Sequence, residues 1–279
     1  MSTFLCQIWW PNFWMYAGNQ AHWCGRMTSP ADLPTAYAAA LGVRAARMQA
    51  GEVPAGYKVG FTNRSIWPIY QVYQPIWGTV WRNTLHQVAS SAPNEGELSL
   101  DNLSEPRIEP EVVFCLRESP PAGCDLASLV LSIDWMAHGF EIVHTHFRDW
   151  KFSGAQAVAD GGLHGHLLVG HRVKLFTDHD AIALAVTLSS LRLKLYANQV
   201  LADQGVGANV LDGPLQALLY FVQALRSTPG APALAAGDVI TTGTLTDAHP
   251  VRPGETWHSE IFINDPFAAQ LKGLTIRFR

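Results

Sequence analysis

Alternating apolar and polar positions dominate the C-terminal two-thirds of the chain, and they predict a protein built largely from β-strands. The predicted strands are 57–63, 107–116, 138–146, 165–174, 184–196, 238–245 and 272–278. Helical patterns interrupt them at 125–137 and 214–226, and the second begins with Asp212 near its N-cap and Pro214 in its first turn. Many strands with few helices predict an α+β fold on a mixed or antiparallel sheet.

The first helix is predicted to start with Ser29 as N-cap and Pro30 in the first helical position. It continues through an alanine-rich stretch to Gly51, either as one helix or as two that are broken at Pro34. Further on, "LRLKLYANQVLADQ" predicts a β-hairpin that turns at Ala197–Asn198, because Asn tolerates a positive φ.

The first 26 residues differ from the rest, since tryptophan and other apolar residues alternate there with Pro, Asn and Gln. This segment is too short and too polar to span a bilayer, which needs about 20 apolar residues. It also lacks the basic start of a signal peptide. It is interpreted either as a surface-binding arm or as codons upstream of a true start at Met27, and the second interpretation is preferred.

The charge and the cysteine content indicate which partners and which compartment to expect. The formal net charge is −4 without a Lys/Arg-rich run, which argues against nucleic acid as a partner. The four cysteines have no CxxC spacing, so free thiols in a reducing compartment are predicted, and with them a cytoplasmic location away from membranes.

Acidic residues occur inside two predicted strands that are otherwise apolar. Side chains alternate along a strand, so Glu109 and Glu111 of "RIEPEVVF" share one face, on which Val113 and Cys115 continue as apolar residues. Glu141 lies in a similarly apolar strand. Three carboxylates beside a core make a site for Mg²⁺ or Mn²⁺ plausible, whereas zinc would call for Cys or paired His ligands.

Two histidines follow Glu141 with the alternating spacing of a strand. His144 and His146 are interpreted mainly as polar pocket wall or as buried core histidines, with metal ligation as the lesser alternative.

Six ordered blocks carry a resemblance to a known family. They are "GYKVGFTN" (56–63), "RIEPEVVF" (107–114), "FEIVHTHFRDWKF" (140–152), "VADGG" (158–162), "GANVLDGPLQAL" (207–218) and "AAGDVITTGTLTDAHPVRPGE" (235–255). In this order and at these separations the chain resembles the 2-keto-4-pentenoate hydratase and 4-oxalocrotonate decarboxylase branch of the fumarylacetoacetate hydrolase family. The resemblance covers about residue 29 to the C-terminus.

The resemblance implies a fumarylacetoacetate hydrolase-like mixed β-roll core with a small N-terminal helical portion. The expected organisation is an extension at 1–26, a small α/β portion at 27–100 and a catalytic domain at 101–279. Metabolic enzymes of this branch act on 2-hydroxy-2,4-dienoates from aromatic ring cleavage. The expected assembly is a homo-oligomer, which could also associate with a related hydratase or decarboxylase.

The resemblance also implies roles for individual residues. The expected Mg²⁺ or Mn²⁺ ligands are Glu109, Glu111 and Glu141, and the expected catalytic residues are Lys58, Lys151 and Asp160. Burial beside the metal is expected to lower the pKa of Lys58 towards the range of a general acid or base. An alternative for Asp160 is a structural pair with Lys151. The residues expected to contact substrate are Thr242, Gly243, Thr244, Leu245, Thr246, Ile76 and His164.

Two departures from the family pattern leave the reaction open. Ile76 stands in "QPIWG" where these hydratases commonly carry Asp, and Gly161, Gly162 and Leu163, followed by His164, replace a polar Asn and Ser. Hydration of a dienoate is the leading hypothesis. The alternatives are decarboxylation of a 2-oxo-dioate, C–C bond hydrolysis, and a non-catalytic subunit that binds the metal and the keto acid and stabilises a related enzyme.

Overall fold

The structure is a computed structural model of the whole 279-residue chain. It describes residues 30–176 and 180–279, together with the backbone of two short paired strands, β1 (Met15–Tyr16) and β2 (Ala21–His22). Apart from that pair, the predictions for residues 1–26 and for Ser29 as a helix cap lie outside the described residues.

The remaining secondary structure alternates between strands and short helices. The helices are α1 (Leu33–Gln49), α2 (Trp67–Tyr70), α3 (Leu126–Leu131), α4 (Gly154–Ala159), α5 (Ala181–Ser190) and α6 (Pro214–Ser227). The strands are β3 (Pro54–Gly60), β4 (Ile76–Trp81), β5 (Leu85–Gln87), β6 (Glu95–Leu98), β7 (Arg107–Leu116), β8 (Ile133–Val143), β9 (His164–Lys174), β10 (Arg192–Ala197), β11 (Val200–Val206), β12 (Val239–Thr244), β13 (His249–Pro250), β14 (Thr256–Phe262) and β15 (Thr275–Phe278).

Two mixed sheets hold most of the strands. The larger has the order β4-β3-β12-β7-β8-β9-β5, with β13 also pairing with β7, and the smaller has the order β11-β10-β14-β15-β6. Parallel pairing occurs between β12 and β3, β5 and β9, and β15 and β6. The α+β prediction with a mixed sheet is confirmed. The division at residue 100 stays a prediction, and β3 and β4 pair into the sheet that holds β7 and β8.

The two faces of the larger sheet have different surroundings. Ile108, Val112 and Phe114 of β7 pack into the main hydrophobic core, which also receives α6. The opposite face carries a smaller apolar cluster that includes Val113 and Cys115, as the alternation predicts. The glutamates of β7 lie on this second face, at the edge of that cluster.

The first helix begins later than predicted. Asp32 is its N-cap and accepts a hydrogen bond from the Thr35 backbone N–H at 2.9 Å. Pro34 falls in the first turn, where a missing N–H costs nothing, so the helix is not broken there. None of the helices in the described ranges is long and apolar enough to cross a membrane.

The prediction of a strand at 184–196 is wrong over its first half. Residues 181–190 form α5, whose buried side chains Ala181, Leu184, Ala185 and Leu188 recur with helical spacing. The Asp180 carboxylate caps the helix by accepting from the Ile182 and Ala183 N–H groups. A run rich in Ala, Ile, Leu and Val fits either element by composition, and only packing against α6 distinguishes them.

The helix predicted at 125–137 is also too long. It ends at Leu131, and β8 starts at Ile133 because pairing with β7 requires an extended chain from there on. In contrast, β7 has the predicted bounds, and α6 and the hairpin agree closely with prediction. Asn198 in the hairpin turn has a φ of 46°.

Candidate metal centre

The pairing of β7 with β8 brings the three glutamates together. Glu109 is directly opposite Glu141 in this register, and Glu111 is opposite Gly139. One carboxylate oxygen from each of the three glutamates lies within 4.8 Å of the others. Three oxygen ligands at that spacing suit a hard divalent cation.

Burial makes these carboxylates costly to ionise. Glu111 and Glu141 are fully buried, and Glu109 is partly buried. Burial, reinforced by the neighbouring glutamates, raises the pKa of Glu109 to about 7 and holds the pKa of Glu111 well above its usual value. Glu141 behaves differently: burial would raise its pKa, but Lys58 and His164 outweigh burial and lower it. In the metal-free protein, Glu141 is therefore the carboxylate best stabilised as an anion.

Lys58 supplies the positive charge inside the site. Its side chain is 4% exposed, and its Nζ atom lies 3.2 Å from Oε2 of Glu141. Burial favours a lower pKa for Lys58, but the charges of Glu141, Glu109 and Glu111 outweigh burial and raise it. The downward pKa shift expected beside a bound metal stays a prediction, because this upward shift belongs to the metal-free protein. Neutralising those carboxylates would leave burial as the dominant influence.

The residues present fit a dication. Two buried carboxylates and one partly buried carboxylate face the buried ammonium of Lys58, so a cation with two positive charges would balance the cluster. Within the described chain, Oε1 of Glu111 is a buried oxygen without a hydrogen-bond partner, and Oε2 of Glu141 has only the ion pair with Lys58. Buried acceptors of this kind are normally satisfied by a proton donor or a metal ion. Glu109, Glu111 and Glu141 would hold Mg²⁺ or Mn²⁺.

The loop expected to contact substrate adjoins Glu111. Strand β12 changes register against β7 between Thr241 and Thr244, and this bulge directs the Gly243 N–H to Oε2 of Glu111 at 2.7 Å. Gly243 has a φ of 93°, and a Cβ there would lie 1.8 Å from Oγ1 of Thr62, so only glycine fits.

The other residues predicted in this loop hold its shape. The Thr242 hydroxyl donates to the Val112 carbonyl at 2.8 Å, and the Thr244 hydroxyl donates to the Thr246 carbonyl at 3.0 Å. Leu245 is fully buried, and its N–H donates to the Pro110 carbonyl at 2.9 Å. A cleft of about 130 Å³ is lined in part by Thr244, Leu245 and Thr246.

Asp160 and Lys151 do not form the pair that was considered for them. Asp160 instead accepts from the His146 backbone N–H at 3.1 Å and lies 2.5 Å from Nδ1 of the same residue. Lys151 has a side chain that is 82% exposed, with its Nζ 3.9 Å from Asp149. Burial lowers the pKa of His146, but the hydrogen bond and the charge of Asp160 outweigh burial and raise it.

The remaining predicted residues lie around Lys58 and Glu141. Ile76 is buried, and both its Cγ1 atom and Nζ of Lys58 come within 3.5 Å of the position that a Cβ would occupy on Gly60. His164 contacts Glu141 through Nδ1 at 2.8 Å. His144 is also buried, which lowers its pKa to about 4, so it is neutral at physiological pH.

Two contacts of the histidines near this site were not predicted from the sequence. The alternating spacing of His144 and His146 was visible, but nothing in it indicated a partner in Asp160. The Thr84 hydroxyl lies 2.9 Å from Nε2 of His164, although Thr84 is in a turn 80 residues earlier in the sequence. Only the parallel pairing of β5 with β9 brings that turn close, and the sequence contains no sign of it.

The raised carboxyl pKa values predict how metal-free stability depends on pH. For Glu109 the folded pKa of about 7 exceeds the usual value of 4.5 for a free glutamate, so the folded protein retains a proton that the unfolded chain releases. We expect the contribution of Glu109 to stability to fall as the pH rises through this window, by up to about 1.4 kcal/mol per pH unit. Glu111 acts in the same direction, whereas His138, His144 and His166, whose pKa values are lowered to about 4 by burial, act in the opposite direction below about pH 6.5. Urea unfolding in EDTA from pH 5 to 8 therefore compares the wild type with Glu109→Gln, and the stability of the wild type relative to this variant should fall as the pH rises.

The same proton must leave before a metal binds, so the apparent affinity for Mn²⁺ should rise over this pH range. An identical pH dependence of metal-free stability in the wild type and in Glu109→Gln would contradict the assignment of a raised pKa to Glu109.

The chain is similar in sequence to enzymes of known activity. No protein-family model matches the chain. A 2-keto-4-pentenoate hydratase of Burkholderia vietnamiensis is 30% identical over 213 residues, which are 76% of this chain and 75% of the relative. A 4-oxalocrotonate decarboxylase of a Pseudomonas species is 26% identical over 215 residues, 77% of each protein.

The fold has a solved counterpart. The structure of 4-oxalocrotonate decarboxylase from Pseudomonas putida G7, complexed with magnesium and adipate, is similar with a TM-score of 0.76 at 22% identity, covering 89% of this chain and 86% of that one. This likeness confirms the predicted fold. Together with the 30% identical relative, it shows that the chain belongs to the fumarylacetoacetate hydrolase family, in the branch of 2-keto-4-pentenoate hydratases and 4-oxalocrotonate decarboxylases.

Proposed function

We propose that this protein is a metal-dependent lyase that hydrates a 2-hydroxy-2,4-dienoate of the 2-keto-4-pentenoate type to a 4-hydroxy-2-oxo acid. The observation that carries the proposal is the convergence of three carboxylates within 4.8 Å beside a buried lysine. A bound Mg²⁺ or Mn²⁺ would supply Lewis-acid stabilisation of the negative charge that develops on the oxygen at C2. The hydratase relative, at 30% identity, supports this choice of reaction.

Lys58 is proposed to transfer the proton. Its Nζ atom is the buried cationic donor that adjoins the carboxylate cluster, and it can deliver a proton to C5 of a dienolate bound there. Gly162 packs closely against the Lys58 side chain. A Cβ on Gly162 would lie 2.9 Å from Cδ of Lys58 and 3.2 Å from the Gly78 nitrogen, so the glycine leaves space for the lysine stem. A positioned donor of this kind typically contributes 10²–10⁴-fold to a rate.

Hydration also needs a group that positions the water molecule that adds at C4. The pair of His146 with Asp160 is proposed for this role. Asp160 fixes the His146 ring through a contact of 2.5 Å to Nδ1, which holds the imidazole in one orientation. In this arrangement Asp160 acts through His146. Lys151 and the loop from Thr242 to Thr246 remain candidates for contact with the substrate, and the exposure of Lys151 gives it the weaker support of the two.

Decarboxylation of a 2-oxo-dioate is the second candidate, and Ile76 is the observation that favours it. An apolar, buried side chain beside Lys58 stands where these hydratases commonly have a carboxylate. Apolar surroundings disfavour a carboxylate relative to neutral CO₂, so they would assist its loss. C–C bond hydrolysis and a non-catalytic partner role remain less supported alternatives, and association into oligomers stays a prediction.

Product analysis tests the proposal. Purified protein with Mg²⁺ or Mn²⁺ is mixed with freshly generated 2-hydroxypentadienoate or, separately, with the corresponding 2-oxo-dioate, and the products are identified by NMR. We expect the first substrate to give 4-hydroxy-2-oxo acid. We expect this turnover to be lost after EDTA treatment. Release of CO₂ from the dioate, with the dienoate unchanged, would replace hydration by decarboxylation. Binding of either acid without turnover would favour the partner role.

A further inference from the structure

His164 is the first residue of β9, and its ring contacts a metal-ligand candidate rather than open space. Its Nδ1 atom lies 2.8 Å from Oε1 of Glu141, and the two side chains are 3% and 0% exposed. An ionised carboxylate only accepts hydrogen bonds, so Nδ1 must carry the hydrogen. His164 therefore donates to Oε1 of Glu141, while Oε2 faces Lys58.

The second ring nitrogen of His164 is also occupied. Its Nε2 atom lies 2.9 Å from the Thr84 hydroxyl. That hydroxyl is anchored to the main chain of Trp81, since it lies 3.0 Å from the Trp81 carbonyl and 3.2 Å from the Trp81 N–H. The ring is thus held at both ends and has no nitrogen left for a substrate.

The turn that leads into β9 fixes this ring relative to Lys58. Gly161, Gly162 and Leu163 have φ values of 67°, 72° and 65°, three left-handed residues in succession. For Leu163 this conformation costs roughly 1–2 kcal/mol, so the surroundings must hold it there. Gly162 packs against the Lys58 stem, and His164 contacts Glu141 two residues later. One turn therefore sets both members of the Lys58–Glu141 pair.

We propose that His164 is a positioning residue that orients the Glu141 carboxylate for metal binding, with Thr84 holding the ring. This inference rests on the proposed metal centre and replaces the expectation that His164 contacts substrate. A hydrogen bond to Oε1 restricts rotation of the carboxylate, so that Oε2 keeps its contact with Lys58 and the carboxylate keeps its place in the cluster with Glu109 and Glu111. Groups that support a ligand in this way typically change metal affinity by 10–100-fold when they are removed.

Two substitutions at His164 separate its two hydrogen bonds. The amide nitrogen of Asn occupies nearly the position of Nδ1, whereas the amide nitrogen of Gln occupies nearly that of Nε2. We expect His164→Asn to retain most of the Mn²⁺ affinity, and His164→Gln and His164→Ala to lose about 10–100-fold. Affinity is measured by EPR of free Mn²⁺, and the EPR signal of the bound ion reports changes in its coordination without any turnover.

The matched control is His166→Gln on the same strand. The His166 ring is 3.1 Å from His86 rather than from a carboxylate, so this variant should bind Mn²⁺ like the wild type. Melting temperatures in EDTA show whether each variant folds. A purely structural role would lower the melting temperature of the Asn and Gln variants without ranking their affinities in the predicted order.

The outcomes distinguish this inference from the proposed function. If the wild type binds no Mn²⁺, the proposed metal centre fails. If the wild type binds and folded His164→Gln binds equally well, the positioning role is overturned and the metal centre stands. Should the His164 variants not fold, Thr84→Val leaves the imidazole in place and is expected to weaken Mn²⁺ binding about tenfold, the lower end of the usual range. Unchanged affinity in that variant would also overturn the role of His164.

Discussion

Glu111→Gln should abolish tight metal binding and at the same time make the metal-free protein more stable. Burial and two neighbouring carboxylates disfavour the charge of Glu111, as its strongly raised pKa shows. The Gln amide oxygen can still accept from the Gly243 N–H, so no hydrogen bond need be lost. We expect Mn²⁺ affinity to fall at least about 100-fold, and the free energy of unfolding in EDTA at pH 8 to rise by roughly 1–3 kcal/mol.

Isothermal titration with Mn²⁺ and urea unfolding in EDTA measure the two effects. Glu118→Gln is the matched control, because Glu118 is exposed and lies just beyond the end of β7, and it should change neither quantity. An unchanged Mn²⁺ affinity in Glu111→Gln would remove Glu111 from the metal centre. A large loss of metal-free stability would show that the charge of Glu111 stabilises the fold.

Lys58→Met should have the opposite effect on metal-free stability and a large effect on turnover. Removal of the ammonium leaves the buried carboxylates without their cation, and breaking a buried ion pair typically costs 3–5 kcal/mol. Bound Mg²⁺ should restore part of this loss, because a dication balances the same charges. If Lys58 transfers the proton, turnover should fall by about 10²–10⁴-fold even in saturating Mg²⁺.

The readouts are urea unfolding with and without Mg²⁺, and initial rates across pH. Lys272→Met provides the control, since that lysine is exposed and its ammonium donates to the Ala269 carbonyl. A Lys58→Met variant with the wild-type rate and pH profile would leave Lys58 with a structural role alone. Wild-type metal-free stability in that variant would instead contradict the buried ion pair.

The strands next to the site were predictable because their pattern is local. Period-two alternation in β7 defines which side chains share a face of the sheet. It places Glu109 and Glu111 on the same face without any knowledge of the partner strands. The same reasoning failed for α5, where a continuous apolar run is compatible with both helix and strand. Its period becomes visible only when packing selects which side chains are buried.

Sequence patterns were sufficient to predict the α+β class, the bounds of β7, the shared face of two glutamates and the six blocks that resemble the family. Tertiary structure alone decided that Glu141 is opposite Glu109, that Lys58 is a raised-pKa cation, that Asp160 pairs with His146 rather than Lys151, and that His164 contacts Glu141. The physical reason is the range of each effect. Alternation and capping act between near neighbours in the chain, whereas strand register, burial and charge balance depend on segments that only folding brings into contact.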